Sequence, residues 1–258
     1  MATTTYAGLV QGTPEWLAAR CGMVTASIVG RLISVGAPGP TEYDCPDCGA
    51  IAHEPCISKA RKVPTPLRAY HSARVDVSVE RAPYEPPSLS VASTDTARAV
   101  MLTIAAERLT GHVDPIQMTP DMWRGVEDEP RARDAYADHR MTPVREVGFI
   151  VRDDWGFQLG YSPDGLVGDQ GLIECKSRLQ KKHLATILDD RVPVENFAQL
   201  QCGLLVTGRE WIDYVSYCGG MPLWIKRVTP DPAWHAAIIA AAARVESVAA
   251  EMTEQYRQ

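Results

Sequence analysis

The spacing of apolar residues divides the chain into periodic stretches on either side of one long aperiodic region. Helical spacing predicts two short helices within residues 14–34, with a turn at Cys21-Gly22, and single helices at residues 96–109, 124–139, 194–206 and 233–256. Extended spacing predicts strands at residues 145–155, 156–167, 171–178, 211–218 and 223–228, the first three forming a meander. This order is typical of a mixed α/β domain with a central sheet.

The aperiodic region runs from about residue 35 to residue 93 and is rich in Gly, Pro, Cys and Ser. It is too long for an ordinary loop, so either it is disordered or something other than a hydrophobic core stabilises it. Three of the seven cysteines fall within it, and the other four lie in apolar settings and are predicted to be buried: Cys21, Cys175, Cys202 and Cys218. An odd, unevenly spaced set indicates a metal cluster in a reducing compartment and not a disulfide framework.

The spacing of these three cysteines suits a structural zinc ion. Cys45 and Cys48 form a CxxC pair that holds two thiolates at the separation tetrahedral Zn²⁺ requires. Cys56 and His71 follow as the third and fourth ligands, with His53 as the alternative fourth ligand. Bound zinc would supply the folding free energy that the region otherwise lacks.

Composition and charge narrow the class of protein. The chain is 45% hydrophobic and 22% charged, no apolar run approaches the roughly 18 residues of a membrane span, and its start lacks a leader pattern, so we expect a cytoplasmic protein. The formal net charge of −6 alone argues against a DNA partner. Positive charge is nevertheless concentrated between Cys56 and Arg74 and from Lys176 to Lys182, and bound cations would neutralise part of the acidity.

One segment, SPDGLVGDQGLIECK, places two carboxylates and a lysine in a hairpin. Asp164 falls at the turn, while Glu174 and Lys176 lie two residues apart on the next strand and share a face, with Cys175 on the other. Carboxylate oxygens beside a backbone carbonyl suit Mg²⁺, and the lysine can orient a metal-bound water and neutralise phosphate charge. The alternative is a simple turn and a solvated ion pair. The strand begins with apolar residues, and charged residues in such a strand need a functional reason. This context favours a metal site, with metal-assisted phosphodiester hydrolysis as its chemistry, over a solvated ion pair.

Five motifs occur in a set order along the chain: EWLAARCGMVTAS, RGVEDEPRARDAY, GYSPDGLV, IECK and AQLQCG. Together they resemble the YqaJ-like viral recombinase nucleases, the family of bacteriophage lambda exonuclease, within the PD-(D/E)XK superfamily. The resemblance implies an α/β fold with a restriction-endonuclease-like core, in which helices flank a central mixed sheet, and a small zinc-bound insertion. We therefore expect a single nuclease domain over residues 1–258 with the zinc-binding element inserted at residues 37–94.

The family implies a Mg²⁺-dependent (or Mn²⁺-dependent) 5′-to-3′ exonuclease on linear double-stranded DNA that leaves 3′ single-stranded tails for phage-type homologous recombination. It also implies a homotrimer, a single-strand annealing protein as partner and the cytoplasm of a bacterial host as location. Two alternatives stay open: a PD-(D/E)XK endonuclease, and a zinc-stabilised DNA- or protein-binding module with an inactive nuclease core. The number of catalytic metals is open as well.

The family motifs assign the metal site by position. Its members would be Asp164, Glu174, Glu129, the backbone carbonyl of Cys175, and Lys176 as the catalytic lysine. Glu127 and Asp128 are near alternatives to Glu129. Pro130 fits if the helix begins near Glu129, because proline is tolerated in a first helical turn.

Two further motif positions concern a glutamine and the DNA end. Gln201, or failing it Gln199, matches the glutamine of the helix after the core strands, and residues two apart on a helix cannot both face the site. Arg20 and Ser27 match the residues that receive the 5′-phosphate, which agrees with the anion-binding chemistry of a guanidinium and a hydroxyl. The alternative for this pair is a surface arginine and an ordinary helix cap.

Two basic clusters could follow a DNA backbone. The first comes after the predicted catalytic strand and comprises Arg178, Lys181, Lys182 and His183. The second lies in the insertion and comprises Lys59, Arg61, Lys62, Arg68 and Arg74. The insertion motifs CPxCGA, PC and HxxR also resemble zinc-ribbon elements of actinobacterial phage proteins. For both clusters, a solvated or partner-binding surface is the alternative.

Overall fold

The structure is a computed structural model that describes residues 3–58, 63–115 and 117–258. The chain forms two compact units, the first made of Met1–Ile33 and Val91–Gln258 and the second of Ser34–Ser90. The helices of the described residues are α1 (Pro14–Ala19), α2 (Ala26–Val29), α3 (Ser72–Arg81), α4 (Asp95–Thr110), α5 (Pro120–Arg140), α6 (Gln180–Asp189), α7 (Val194–Thr207) and α8 (Pro232–Arg257). None of these helices is long and apolar enough to cross a membrane.

The strands of the described residues form two larger sheets and a two-stranded one. They are β1 (Thr3–Tyr6), β2 (Val24–Thr25), β3 (Ile33–Gly36), β4 (Ser88–Val91), β5 (Val144–Arg145), β6 (Phe149–Asp153), β7 (Gln158–Tyr161), β8 (Gly165–Val167), β9 (Gly171–Ser177), β10 (Trp211–Tyr217) and β11 (Trp224–Val228). The first sheet has the order β1-β6-β7-β2, and the second has the order β11-β10-β9-β8-β5. Strand β9 lies at the centre of the second sheet, antiparallel to β8 and parallel to β10, so this sheet is mixed.

The predicted three-strand meander is wrong in detail, because the stretch 156–167 forms two strands. Residues Ser162, Pro163 and Asp164 separate β7 from β8 and carry the chain from the four-stranded to the five-stranded sheet. Pro163 has no amide proton to donate to a neighbouring strand, so pairing stops there. Asp164 therefore stands at the point where the chain changes sheets.

Helices cover both faces of β9. On one face, Ala132 and Tyr136 of α5 pack against Ile173 and Cys175. The alternate residues of β9 point to the other face, where the side chain of Glu174 meets helix α7. Helix α8 packs against α4 and α7 and completes this layer. Strand β9 thus lies between helix α5 on one face and helix α7 on the other.

Helix α5 begins earlier than predicted. The hydroxyl of Thr119 accepts a hydrogen bond from the amide of Met122 (3.3 Å), and Pro120 occupies the first helical position, a strong start signal. Pro130 therefore lies inside the helix and not in its first turn. It removes one internal hydrogen bond, to the carbonyl of Val126, an exposed residue where water can satisfy the acceptor.

Two helices, α3 and α6, were not predicted from the apolar pattern. The buried residues of α3 are Arg74 and Ser78, and those of α6 are His183 and Thr186. Since the buried positions of both helices are polar, hydrophobic periodicity carries no signal for them. In the second unit, the described core consists of cysteine thiols with a few small or apolar side chains: Cys45, Ala50, Cys56, Cys48 and Leu67.

The four cysteines outside that cluster follow the prediction with one correction. Cys175, Cys202 and Cys218 are buried, and burial raises the pKa of the Cys202 thiol to about 12. Cys21 is only partly buried, because it lies in the turn after α1, where its thiol contacts the carbonyl of Glu107 at 3.5 Å.

Candidate active site and metal-binding cluster

Three carboxylates form a cluster beside β9. Asp164 precedes β8, Glu174 lies on β9, and Glu129 projects from α5; Asp164 is 8% and Glu174 1% exposed. Burial raises the pKa of Asp164 well above its usual range, and the nearby charges of Glu174 and Glu129 raise it further. Burial likewise raises the pKa of Glu129, although Arg133 opposes this. A cation among these carboxylates would relieve their repulsion.

The backbone of β9 contributes to the same corner. The amide of Cys175 donates to Oδ2 of Asp164 at 2.6 Å. Because the amide and carbonyl of one strand residue point to the same side of the strand, the carbonyl of Cys175 also faces Asp164. Gly165, the next residue after Asp164, packs so closely that a Cβ there would lie 2.2 Å from Cγ1 of Val144. The turn residue after Asp164 is therefore restricted to glycine by packing.

Lys176 is held by two partners on the same face of β9. Its Nζ donates to Oε1 of Glu174 at 2.8 Å and to Oε1 of Gln199 at 3.0 Å. Burial alone would lower the pKa of Lys176, but the charges of Glu174 and Asp164 outweigh burial and raise it. The side chain is therefore an ammonium ion that donates hydrogen bonds and does not accept a proton at neutral pH.

The preference for Gln201 over Gln199 is wrong. Gln201 is fully buried, and its amide donates to the carbonyl of Thr229 and accepts from the amide of Asp231, both at 2.9 Å. The side chain of Gln199 instead donates to Oε1 of Glu174 at 2.5 Å and accepts from Lys176. Both glutamines fit the motif, but the packing of α7 turns only Gln199 toward the carboxylates.

The alternatives to Glu129 point elsewhere. Glu127 is exposed, and Asp128 accepts from the hydroxyl of Ser177 at 2.6 Å and pairs with Arg131 at 3.2 Å. Burial is the main cause of the raised pKa of Glu129, and the charge of Glu174 raises it further, which links Glu129 to the carboxylate site.

Two residues that support this site were missed from the sequence. The hydroxyl of Tyr161 donates to Oε2 of Glu174 at 3.0 Å, and burial raises the pKa of Tyr161. Arg133 donates to the carbonyl of Asp164 at 2.6 Å and pairs with Glu129 at 3.3 Å. The i, i+4 spacing of Glu129 and Arg133 was an available signal, whereas the partner of a strand tyrosine depends on tertiary packing.

Arg20 and Ser27 lie together in the structure. Nη2 of Arg20 donates to the hydroxyls of Thr25 (2.9 Å) and Ser27 (3.0 Å), and the guanidinium lies 4.0 Å from the ring centroid of Trp16. The indole of Trp16 donates to the hydroxyl of Ser162 at 2.9 Å. Ser162 is two residues from Asp164 in the chain. The contacts of Arg20, Trp16 and Ser162 therefore connect this group to the segment that carries Asp164. Trp16 and Ser162 were not anticipated.

The basic cluster after β9 needs one correction. His183 is fully buried between the hydroxyl of Ser216 (2.8 Å) and the carbonyl of Pro222 (2.9 Å), so it cannot contact a ligand at the surface. The side chains of Lys181 and Lys182 are exposed. A cleft of about 250 Å³ beside β9 is lined by Asp121, Arg124, Lys176, Ser177, Arg178, Leu179, Lys182 and Asn196.

A second set of ligating atoms lies within the unit Ser34–Ser90. The ligating atoms of Cys45, Cys48, Cys56 and His71 all lie within 4.8 Å of one another, and Sγ of Cys45 is 3.4 Å from Nδ1 of His71. Zn–S bonds of about 2.3 Å and Zn–N bonds of about 2.0 Å give tetrahedral S···N edges of about 3.5 Å, which the separation of Cys45 and His71 matches. Backbone amides, first that of Ile57, lower the pKa of the Cys48 thiol to about 6.

The alternative ligand His53 does not join this cluster. Its side chain is 71% exposed and pairs with Glu42 at 3.6 Å. Gly49, at φ +71°, completes the turn after the CxxC pair, and its amide donates to the carbonyl of Cys45 at 2.9 Å. The cluster of ligating atoms contains His71 and not His53.

The basic cluster of the insertion needs a correction at Arg74 only. Lys59, Arg61 and Lys62 lie outside the described residues, and Arg68 is exposed. Arg74 is 0% exposed, because its guanidinium is surrounded by backbone carbonyls, and so it cannot contact DNA.

A mixed sheet whose central strand carries Glu174 and Lys176 beside Asp164 defines a DNA nuclease of the PD-(D/E)XK class. The chain belongs to the YqaJ-like viral recombinase domain family, whose model matches residues 79–210. A second family, described as "Putative DNA-binding phage zinc finger domain", matches residues 12–89. The predicted family and fold class are confirmed.

Solved structures agree with this assignment. The alkaline exonuclease LHK-Exo from Laribacter hongkongensis is 26% identical with a TM-score of 0.64, and the match covers 95% of this chain and 98% of that chain. LHK-Exo in complex with dAMP is 27% identical with the same TM-score and coverage. No curated protein matches this chain.

Proposed function

We propose that this protein is a phage-type exonuclease that degrades linear double-stranded DNA from 5′ ends with Mg²⁺ or Mn²⁺ and leaves 3′ single-stranded tails for homologous recombination. The convergence of Asp164, Glu174, Glu129 and Lys176 at one edge of β9 carries the proposal. The similarity to an alkaline exonuclease supports it.

The donor set fits a hard divalent cation. Asp164, Glu174, Glu129 and the carbonyl of Cys175 would hold it through oxygen atoms. When bound, the cation would polarise the scissile phosphate and lower the pKa of an attacking water. The carboxyls of Asp164 and Glu129 have raised pKa values and lie near the ammonium of Lys176, an arrangement that suits a cation and a phosphate.

Lys176 would act on the reacting phosphate, and Gln199 would position the side chains beside it. Lys176, as an ammonium, would stabilise the negative charge that develops on the phosphate oxygens. Gln199 would hold both Lys176 and Glu174 in place, and Tyr161 would hold the second oxygen of Glu174.

The group around Arg20 would bind the terminal 5′-phosphate. Arg20 and Ser27 supply charged and hydroxyl donors, and Trp16 holds the guanidinium against its ring. Such anchoring would place the next phosphodiester at the carboxylates after each cut.

We also propose that Cys45, Cys48, Cys56 and His71 hold a structural zinc ion in an element inserted at residues 37–94 of one nuclease domain. The compact unit Ser34–Ser90 supports this division. The family further suggests a homotrimer, a single-strand annealing partner and a bacterial host cytoplasm. Light scattering of the purified protein would give three times the chain mass of 28.3 kDa if the trimer is right.

A digestion assay tests the function. The purified protein with Mg²⁺ receives 5′-phosphorylated linear duplex, 5′-hydroxyl linear duplex and covalently closed circular duplex. We expect nucleotide release from linear DNA, fastest with the 5′-phosphate, and an intact circle. Cutting of the circle would show an endonuclease instead, and DNA binding without cleavage would show a binding module with an inactive core.

The two glutamines give a matched test of the site. Gln199→Leu should lower kcat about 10–100-fold, because Lys176 and Glu174 lose their common partner, with little change in Tm. Gln201→Leu should lower the free energy of unfolding by about 1–3 kcal/mol, because two buried backbone groups lose their partner. Its activity per folded molecule should stay near that of the wild type. The reverse pattern would contradict the placement of Gln199.

Arg20 gives a test of end recognition. Arg20→Gln should remove most of the preference for a 5′-phosphate over a 5′-hydroxyl end, a change of about 10–100-fold in relative kcat/KM, because a charge-assisted contact is lost. Arg31→Gln, a change at an exposed arginine of the same unit, should leave the preference unchanged. An unaltered preference in Arg20→Gln would remove Arg20 from the end-binding group.

A further inference from the structure

Arg74 is a fully buried cation that the nuclease site does not use. It is 0% exposed, although arginine is rarely buried without a partner. It lies in the first turn of α3, three residues after His71, the proposed histidine ligand, which is the N-cap residue of that helix.

The guanidinium of Arg74 connects two segments that are next to the cysteines in the chain. Its donors reach five backbone carbonyl oxygens, those of Pro40, Thr41, Tyr43, Ile51 and Glu54. The distances are 2.7 Å to Tyr43, 2.7 Å to Glu54 and 3.0 Å to Ile51. Residues 40–43 come just before Cys45, and residues 51–54 lie between Cys48 and Cys56. A planar fork with five donors is the side chain suited to such a junction.

Carbonyl dipoles satisfy the hydrogen bonds of Arg74 but do not cancel its charge. Across residues 3–58, 63–115 and 117–258, no carboxylate forms an ion pair with it. Its other contacts are Sγ of Cys56, 3.6 Å from Nη1, and the ring of Tyr70, whose centroid lies 5.4 Å from the guanidinium carbon. Since a buried charge without a counter-charge is costly, the contact with Cys56 points to the thiol cluster as the source of a counter-charge.

The charge of the proposed zinc centre supplies the complement. Three thiolates, a neutral imidazole and Zn²⁺ carry one net negative charge. Cys56 is 0% and Cys45 2% exposed, so water screens this charge poorly. The guanidinium and the metal centre together are neutral.

We propose that Arg74 is the counter-charge and positioning residue of the zinc centre, an inference that rests on the zinc site proposed above. Arg74 both neutralises the anionic centre and fixes the segments on either side of its cysteine ligands. The HxxR motif places the histidine at the N-cap of α3 and the arginine in its first turn, so one helix start carries both the ligand and the counter-charge.

The test measures zinc affinity of the full-length protein by competition with a chromophoric chelator. Arg74→Met should weaken zinc binding about 10–100-fold, as loss of a group that supports metal ligands does. Arg74→Lys, which keeps the charge and loses the fork, should stay within about tenfold of the wild type. Arg68→Met, at an exposed arginine of the same unit, should have no effect.

A second background separates charge from simple structural support. Cys48→His, at a partly exposed ligand, would replace a thiolate by a neutral imidazole and bring the zinc centre to zero net charge. In this background the effect of Arg74→Met should shrink to less than about fivefold. An equal loss in both backgrounds would show that Arg74 only holds the carbonyls, and unchanged affinity in Arg74→Met would exclude both roles.

The remaining outcomes also decide the inference. If Arg74→Met does not fold, Arg74→Lys decides, since a loss beyond about 100-fold with the charge retained would overturn the electrostatic role. Zinc content of the wild type separates the two proposals. A metal-free wild type would reject the zinc site itself, whereas a zinc-loaded wild type with unaffected Arg74 variants would reject only the role of Arg74.

Discussion

Lys176→Met should lower kcat for Mg²⁺-dependent DNA digestion by about 10²–10⁴-fold, a loss typical of removing a charged group that stabilises a transition state. The ammonium is held between Glu174 and Gln199 on the carboxylate face of β9, at 2.8 and 3.0 Å. Methionine keeps the unbranched stem but removes the charge and all three donors. Single-turnover digestion of a 5′-phosphorylated linear duplex, at saturating protein, measures the effect.

Lys181→Met provides the matched control, because Lys181 is exposed on the neighbouring helix α6. It should retain kcat within about threefold, with an effect limited to salt-dependent binding. Full activity in Lys176→Met would reject the catalytic assignment of the lysine.

Asp164→Asn extends this prediction to the metal ligands and separates activity from stability. An asparagine oxygen can still accept from the amide of Cys175, and the change removes a buried charge that Glu174 and Glu129 repel. The Tm without divalent cations should therefore be unchanged or higher, while activity falls about 10²–10⁴-fold. A lower Tm together with retained activity would contradict a metal-binding role.

His71→Ala should abolish stoichiometric zinc binding and unfold the unit Ser34–Ser90. Structural zinc sites contribute on the order of 10–16 kcal/mol of apparent binding free energy, and the described core of this unit is built around the ligands themselves. Metal analysis should show less than about 0.1 equivalent of zinc after dialysis against a weak chelator. Hydrogen exchange should show loss of protection confined to residues 34–90 in the variant.

The matched control is His53→Ala. His53 is an exposed histidine of the same unit whose side chain pairs with Glu42 outside the cluster. Zinc content and exchange protection should equal those of the wild type. Equal loss of zinc in both variants, or full retention in His71→Ala, would reject the ligand set with His71.

The acidic residues and the lysine of β9 were predictable because their relation is local. In a strand, Glu174 and Lys176 share a face by the alternation of side chains, and the hairpin returns Asp164 to the same edge. The apolar stripes of α4, α7 and α8 were visible for the same reason, since burial of one helix face leaves a periodic record in the sequence.

The sequence could not predict which of two neighbouring candidate residues on a helix faces the site. Gln199 and Gln201 lie on one helix, and the rotation of α7 set by its packing decides which faces Glu174. Helices α3 and α6 bury polar side chains, so their positions left no apolar pattern.

The sequence by itself determined the family through five motifs in a set order. It also indicated Asp164, Glu174 and Lys176 and the spacing of three cysteines, because each of these two sets lies within a short stretch of the chain. The tertiary structure alone decided which histidine joins the cysteines, which glutamine joins Lys176, and that Arg74 is buried beside the thiols instead of facing DNA. Those outcomes depend on which segments meet in space, and several loops and helix faces must be positioned together before any of them is fixed.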